Sequence, residues 1–152
     1  KKETSMFAVE KMTEEMRSEG LPMVDVFDQS DAVSHPVGQE KQEQTFADAV
    51  SDDPVLEGYV LKEDGRIIGF AYVTVYYACE VGGRCLMFEE LYLKEEARGK
   101  GYGSRFFETV MKERTEIRRF RLEVTRSNEK AVRLYERLGF EFLDYDQMIL
   151  DR

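Results

Sequence analysis

The chain has 152 residues, 42% of them hydrophobic, with 22 Lys and Arg against 31 Asp and Glu for a formal charge of -9. That length suits one well-cored domain over residues 1–152 and makes a second domain unlikely on size alone. The acidic balance argues against nucleic acid as a partner, and the longest nearly apolar stretch, Phe70 to Ala78, is too short for a membrane helix.

No charged-then-apolar leader pattern opens the sequence, which does not begin with Met, so a cytoplasmic location is the default expectation. Met6 to Lys11 reads as a first short strand. Thr13 is placed to cap a helix carrying Glu14, Glu15 and Met16, and Gly20-Leu21-Pro22 interrupts it before Met23, Val24, Val26 and Phe27, which predicts two short helices. Ser30 to Gln44 reads as a polar loop. It holds the only histidine, His35, just before Pro36, which constrains any multi-histidine metal site or histidine-based triad. A helical turn around Phe46 to Val50 should stop at Asp52-Asp53-Pro54.

From Leu56 the period becomes that of strands. Tyr59 to Lys62 and Ile67 to Tyr77 flank Glu63-Asp64-Gly65-Arg66, whose Asp-Gly signals a hairpin. A second turn at Gly82-Gly83 would set Val81 opposite Arg84 and Glu80 opposite Cys85. Cys79 and Cys85 then lie on opposite faces, unpaired, as small buried hydrophobes. A strand from Cys85 to Leu93 follows, then a helix from Tyr102 to about Glu116 with an apolar face of Phe106, Phe107, Val110 and Met111. A strand through Phe120, Leu122 and Val124 leads to a helix from about Asn128 that buries Ala131, Val132, Leu134, Tyr135 and Leu138 and exits at Gly139. A last strand, Glu141 to Leu150, completes an α/β plan with a mixed sheet.

Residues 98–103, Arg-Gly-Lys-Gly-Tyr-Gly, join a strand to a helix N-terminus. Side-chain-free backbone there lets several N–H groups converge where the helix dipole is positive, which suits a phosphate. A Walker A loop would need Ser or Thr after Gly-Lys, and Lys100 is followed by Gly101. A dinucleotide fingerprint belongs in a first βαβ unit; Glu123 lies near the distance of a ribose-binding acid, but about thirty residues remain after it, too few for a doubly wound sheet. Basic residues also gather by the loop, since residues 91–152 hold fourteen Lys and Arg against twelve Asp and Glu, whereas residues 1–90 hold eight against nineteen.

Together, Arg98-x-x-Gly101-x-Gly103 and Asn128-x-x-Ala131-x-x-x-Tyr135-x-x-x-Gly139-Phe140 resemble the acetyl-CoA signatures of the GNAT superfamily of N-acetyltransferases, over about Arg84 to Phe140. Phe88-Glu89-Glu90-Leu91-Tyr92-Leu93 also looks like the acidic fourth strand of spermidine/spermine-type members. The resemblance implies a single α/β domain, with a central mixed, mostly antiparallel sheet whose strands splay and flanking helices. It implies acetyl-CoA as co-substrate, no metal, and transfer of the acetyl group to a primary amine, a small cationic amine such as a polyamine or amino compound. Protein or peptide acetylation and a non-catalytic CoA-binding or sensing domain are the alternatives, and a homodimer is possible in either case.

The backbone of Gly99, Lys100, Gly101, Tyr102, Gly103 and Ser104 would hold the pyrophosphate, with charge from Arg98 and Lys100. By resemblance, Leu91, Tyr92 and Leu93 offer main-chain groups to the pantetheine arm and Asn128 contacts it, although Asn128 also suits a helix cap. By resemblance too, Tyr135 protonates the departing sulfur, against a reading as core packing. An acceptor amine arrives mostly protonated and must lose a proton. Glu89 is the first choice of base and Glu90 its neighbour; an undistorted pleat sends them to opposite faces unless a bulge intervenes. Proton loss to water and a purely electrostatic carboxylate are the rivals.

Overall fold

The computed structural model describes residues 5–152, so the first four residues of the expected 1–152 domain lie outside the described part. Five strands form one sheet in the order β1-β2-β3-β4-β5: β1 (Phe7–Lys11), β2 (Leu56–Glu63), β3 (Arg66–Ala78), β4 (Gly83–Leu93) and β5 (Ile117–Leu122). The first three pairings are antiparallel and β4 pairs with β5 in parallel, as a helical crossover between them requires. Asp64 and Gly65, at φ 50° and 80°, turn β2 into β3 with the doubly left-handed geometry that matches strand twist.

Four helices flank the sheet: α1 (Arg17–Asp28), α2 (Gln39–Ala49), α3 (Tyr102–Glu113) and α4 (Glu129–Arg137). On one face Phe106, Phe107 and Val110 of α3 pack on Leu61, Ile68, Ala71, Val73, Leu86 and Phe88, with Tyr135 and Leu138 of the α4 segment against them. On the other, Met23, Val24, Phe46 and Ala49 of α1 and α2 pack on Val60, Ile67, Phe70 and Tyr72.

Four expectations are corrected. First, α1 is one helix that carries Pro22 inside it, after a 3-10 turn at Glu14–Met16, and the Thr13 side chain makes no capping bond. Burial of Met23 and Val24 outweighs the hydrogen bond that proline forfeits, and a Cβ on Gly20 would lie 3.0 Å from the Phe46 ring, so that glycine serves helix contact and not helix interruption. Second, α2 starts at Gln39 inside the expected loop, because Gln42 faces inward and bonds Asp25 and Asp28.

Third, β3 and β4 are joined by the four residues Cys79 to Gly82, with Tyr76 opposite Cys85 and Ala78 opposite Gly83. Cys79 is therefore exposed on the turn and only Cys85 is buried; both are free thiols. Fourth, residues 141–152 form no strand, which leaves β5 without an outer neighbour among the described residues and Met148, Ile149 and Leu150 exposed at 98%, 82% and 82%.

Candidate functional site

The sheet opens at its centre. β4 pairs with β5 only from Arg84 to Phe88, opposite Ile117 to Leu122, while it stays on β3 as far as Leu93 opposite Gly69. On the β5 side the main chain of Glu89 to Leu93 is thus released from the ladder. A backbone that keeps one partner and loses the other offers hydrogen-bonding groups to an extended ligand arm. The Leu93 carbonyl is already engaged, accepting from Arg98 Nε at 2.9 Å, and the Arg98 guanidinium lies 5.7 Å from the Tyr92 ring.

The two acids sit on a bulge. Val73 faces Phe88 and Tyr72 faces Glu90, so Glu89 is the extra residue. The insertion changes the phase of β4: Phe88 points with Val73 toward α3, and Glu90 shares the Tyr72 face, toward α1 and α2. Thr74, on that face too, donates to Glu89 Oε1 at 2.9 Å, so both carboxylates end on one side of the sheet. Glu89 is exposed and Glu90 half-buried. Burial, with help from the Asp28 and Glu89 charges, pushes the Glu90 carboxyl up to about 7.

Asp28 is the buried floor of this corner. Its oxygens accept from Val37 N at 3.0 Å and from Gln42 Nε2 at 3.2 Å, which ties the loop between α1 and α2 to both helices. The Tyr72 hydroxyl, in a residue 2% exposed, has no hydrogen-bond partner among the described residues. Desolvation and the Glu90 charge raise its pKa, so it stays protonated.

The glycine turn is an anion cradle in form. Gly99 and Gly101 take φ of 76° and 79°, and Gly101 is the left-handed residue from which α3 departs. No side chain caps the helix and no acid occupies its first turn. The first bond into the helix runs from Arg105 N to Gly101 O, which leaves the earlier N–H groups of Tyr102, Gly103 and Ser104 for an outside acceptor. A Cβ at Gly99, Gly101 or Gly103 would meet nothing within 4 Å, so open space lies above the turn. These residues fit a pyrophosphate. Lys100, by contrast, is paired with Glu63 of β2 at 3.2 Å, and Glu63 also accepts from the Tyr102 hydroxyl; both side chains brace the loop from beneath.

Tyr135 lies across the sheet from the acids. Its ring meets Phe107 edge-on at 5.5 Å and Phe140 at 6.1 Å, and burial raises its pKa. The end of α4 fixes it there: Phe140 N bonds Tyr135 O, Gly139 N bonds Glu136 O, and Gly139 has φ 98°. That is a Schellman stop, whose usual apolar contact is here the Tyr135–Phe140 pair. Asn128 caps α4 by accepting from Ala131 N at 3.3 Å.

The Acetyltransferase (GNAT) family profile matches residues 21–140. The chain belongs to the GNAT family of acetyltransferases. It is an acetyl-CoA-dependent N-acetyltransferase, and its five-stranded sheet with four flanking helices is the GNAT fold. A possible acetyltransferase from Clostridium difficile 630 superposes with a TM-score of 0.84 at 15% identity, covering 97% of this chain and 98% of that one. An aminoglycoside N-acetyltransferase solved with CoA gives 0.77 at 15% identity, covering 99% and 98%. A ribosomal-protein-alanine N-acetyltransferase from Brucella melitensis biovar Abortus 2308 gives 0.73 at 17%, covering 97% and 100%.

Within this GNAT fold several neighbours of the site carry no mark in the sequence. Tyr72, Thr74 and Asp28 become site residues only through the β3 register and the α1 packing. A period-2 reading of β3 places Tyr72 and Thr74 on one face, yet nothing local tells which face meets Glu90.

Proposed function

We propose that this GNAT enzyme acetylates the primary amine of a small acceptor that arrives as a cation, with Glu90 as general base and Tyr135 as general acid. The observation that carries this reading is the half-buried Glu90 carboxyl on the bulge, held near neutrality where β4 leaves β5. A base needs a pKa near the working pH, and Glu90 meets that requirement. Glu89, held by Thr74, adds negative charge that attracts the ammonium and helps to keep Glu90 basic.

Acetyl-CoA supplies the acyl group and a thiol leaving group. The turn at Gly99 to Ser104 anchors its pyrophosphate and the released main chain of Glu89 to Leu93 receives its arm, with Arg98 adding positive charge. Glu90 takes a proton from the acceptor ammonium on the α1 and α2 side. Tyr135 gives a proton to the leaving sulfur on the α3 side, and burial keeps that hydroxyl protonated. Asn128 holds the start of α4 and so the placement of Tyr135.

The test is thiol release from acetyl-CoA over a panel of amines, followed by Glu90→Gln and Glu89→Gln on the best acceptor. Loss of the neutral-pH limb of kcat/KM in the Glu90 variant, with Glu89→Gln changing KM chiefly, is the expected pattern. The reverse pattern assigns the base to Glu89, and two wild-type profiles leave proton loss to water.

A further inference from the structure

One face of β3 carries three hydroxyls at alternate positions, Tyr72, Thr74 and Tyr76. Each neighbours a charged side chain: Tyr72 stands opposite Glu90, Thr74 bonds Glu89 at 2.9 Å, and the Tyr76 hydroxyl accepts from Arg121 Nη1 at 2.9 Å. The order along the sheet is acid, acid, base. Arg121 comes from β5, opposite Met87, and reaches across β4 to Tyr76.

Arg121 makes no ion pair with a carboxylate within 4.0 Å among the described residues, although Glu89 is held on the neighbouring hydroxyl. Its neighbour Arg119 is satisfied by Glu80 at 2.8 Å. Opposite charges one rung apart ordinarily close on each other; here a hydroxyl holds each of them apart. A cation fixed in place without a counter-ion, beside a site that receives a cation, is a receptor for a molecule bearing both charges.

We infer that the acceptor is dipolar, an extended molecule with the reacting amine at Glu90 and a carboxylate or similar anion at Arg121. The deeply buried, unpartnered Tyr72 hydroxyl marks the amine end. This rests on the reading of Glu90 as the amine end of the site and narrows its acceptor class. Tyr72 and Tyr76 are four residues apart, about 13 Å along a strand. Allowing about 3 Å of hydrogen bond at each end leaves about 7 Å, the span of two extended residues or roughly six single bonds. An α-amino group beside its own carboxylate is too short. The amine and carboxylate of 6-aminohexanoate, or the side-chain amine and carboxylate of free lysine, have the right separation.

The experiment compares kcat/KM for 6-aminohexanoate, hexylamine and hexane-1,6-diamine in the full-length protein. The carboxylate acceptor should exceed hexylamine by about tenfold, the value of one charge-assisted hydrogen bond at a half-exposed site. Arg121→Gln should bring that ratio to about one through KM, and Arg121→Lys should restore part of it. A diamine preferred over the amino acid, or a ratio that Arg121→Gln leaves intact, overturns the proposal. Glu90→Gln is read separately on hexylamine, so a failed base assignment shows there without touching the ratio. Should none of the three turn over, titration of 6-aminohexanoate into the protein with CoA reads the same contact. Binding weakened about tenfold by Arg121→Gln supports the dipolar acceptor, and no binding or unaltered binding overturns it.

Discussion

Tyr135 and Glu90 divide the proton traffic, and each has a distinct signature. Tyr135→Phe keeps the ring contacts with Phe107 and Phe140, so the fold and acetyl-CoA affinity should survive while kcat falls by about 10²–10⁴; wild-type turnover at saturating acetyl-CoA would return the residue to a packing role. Glu90 has a folded pKa of about 7 against an ordinary 4.5, so the folded state holds its proton the more tightly. The sign follows. That preference stabilises the protein fully below about pH 4.5 and is lost as pH rises through about 7. Glu90→Gln should therefore melt with wild type at pH 4 and above it at pH 8, by on the order of 1 kcal/mol after allowance for the partial exposure of the group. In activity the same variant should lose the limb of kcat/KM near neutrality and retain only the acceptor's own ionisation near 10. Glu89-Glu90 was legible as an acidic pair, but its orientation was not: a bulge depends on the register of two strands, and neither strand's own letters record it.

At the scale of elements, the glycine turn and the end of α4 were legible because each depends on local spacing. Gly101 needs its positive φ, and Gly139 with Phe140 closes α4 upon Tyr135. Gly103 is different, for it is helical and nothing lies near its missing Cβ. Gly103→Glu should fold as well as wild type or better, since a carboxylate suits the first turn of a helix. It should nevertheless abolish acetyl-CoA binding by calorimetry, because that charge sits where the pyrophosphate belongs; retained affinity in a folded variant would remove the cradle assignment. Gly139→Ala forces a left-handed alanine and should cost about 1 kcal/mol in a denaturant melt. The elements that resisted reading are those set by partners. Gln42 made α2 look like loop because a buried amide bonding two aspartates has the letter of a surface residue. Pro22 looked like a break because the packing that overrides it lies on α2 and the sheet.

For the whole molecule, charge is arranged by face. α1 and α2, which cover the acceptor side, hold Glu19, Asp25, Asp28, Glu40, Glu43 and Asp48 against only Arg17 and Lys41. A dicationic acceptor should therefore be drawn in by the net field and lose kcat/KM as salt rises, while a zwitterion of equal length should respond little; equal salt dependence for the two would confine the attraction to the immediate site. The C-terminal segment shows the limit of reading periodicity without a partner. Leu143 to Asp146 alternates apolar and polar as a strand would and Met148 to Leu150 is apolar, but residues 141–152 make no ladder and stand largely exposed. Amides there should exchange well before those of Val60, Phe70, Val73 and Leu86; protection of residues 147–150 would mean that they pair along the open side of β5.

The extra residue in β4 makes the chemistry of this enzyme depend on counting as well as on identity. A substitution at Glu89 changes one side chain. Removal of that position would restore an even pleat in which Glu90, now directly after Phe88, still stands opposite Tyr72, so the bulge and one of the two acids would go together without altering any other letter. Drift by point mutation can tune such a site by degrees, whereas a single lost codon flattens its backbone and takes one acid in the same step.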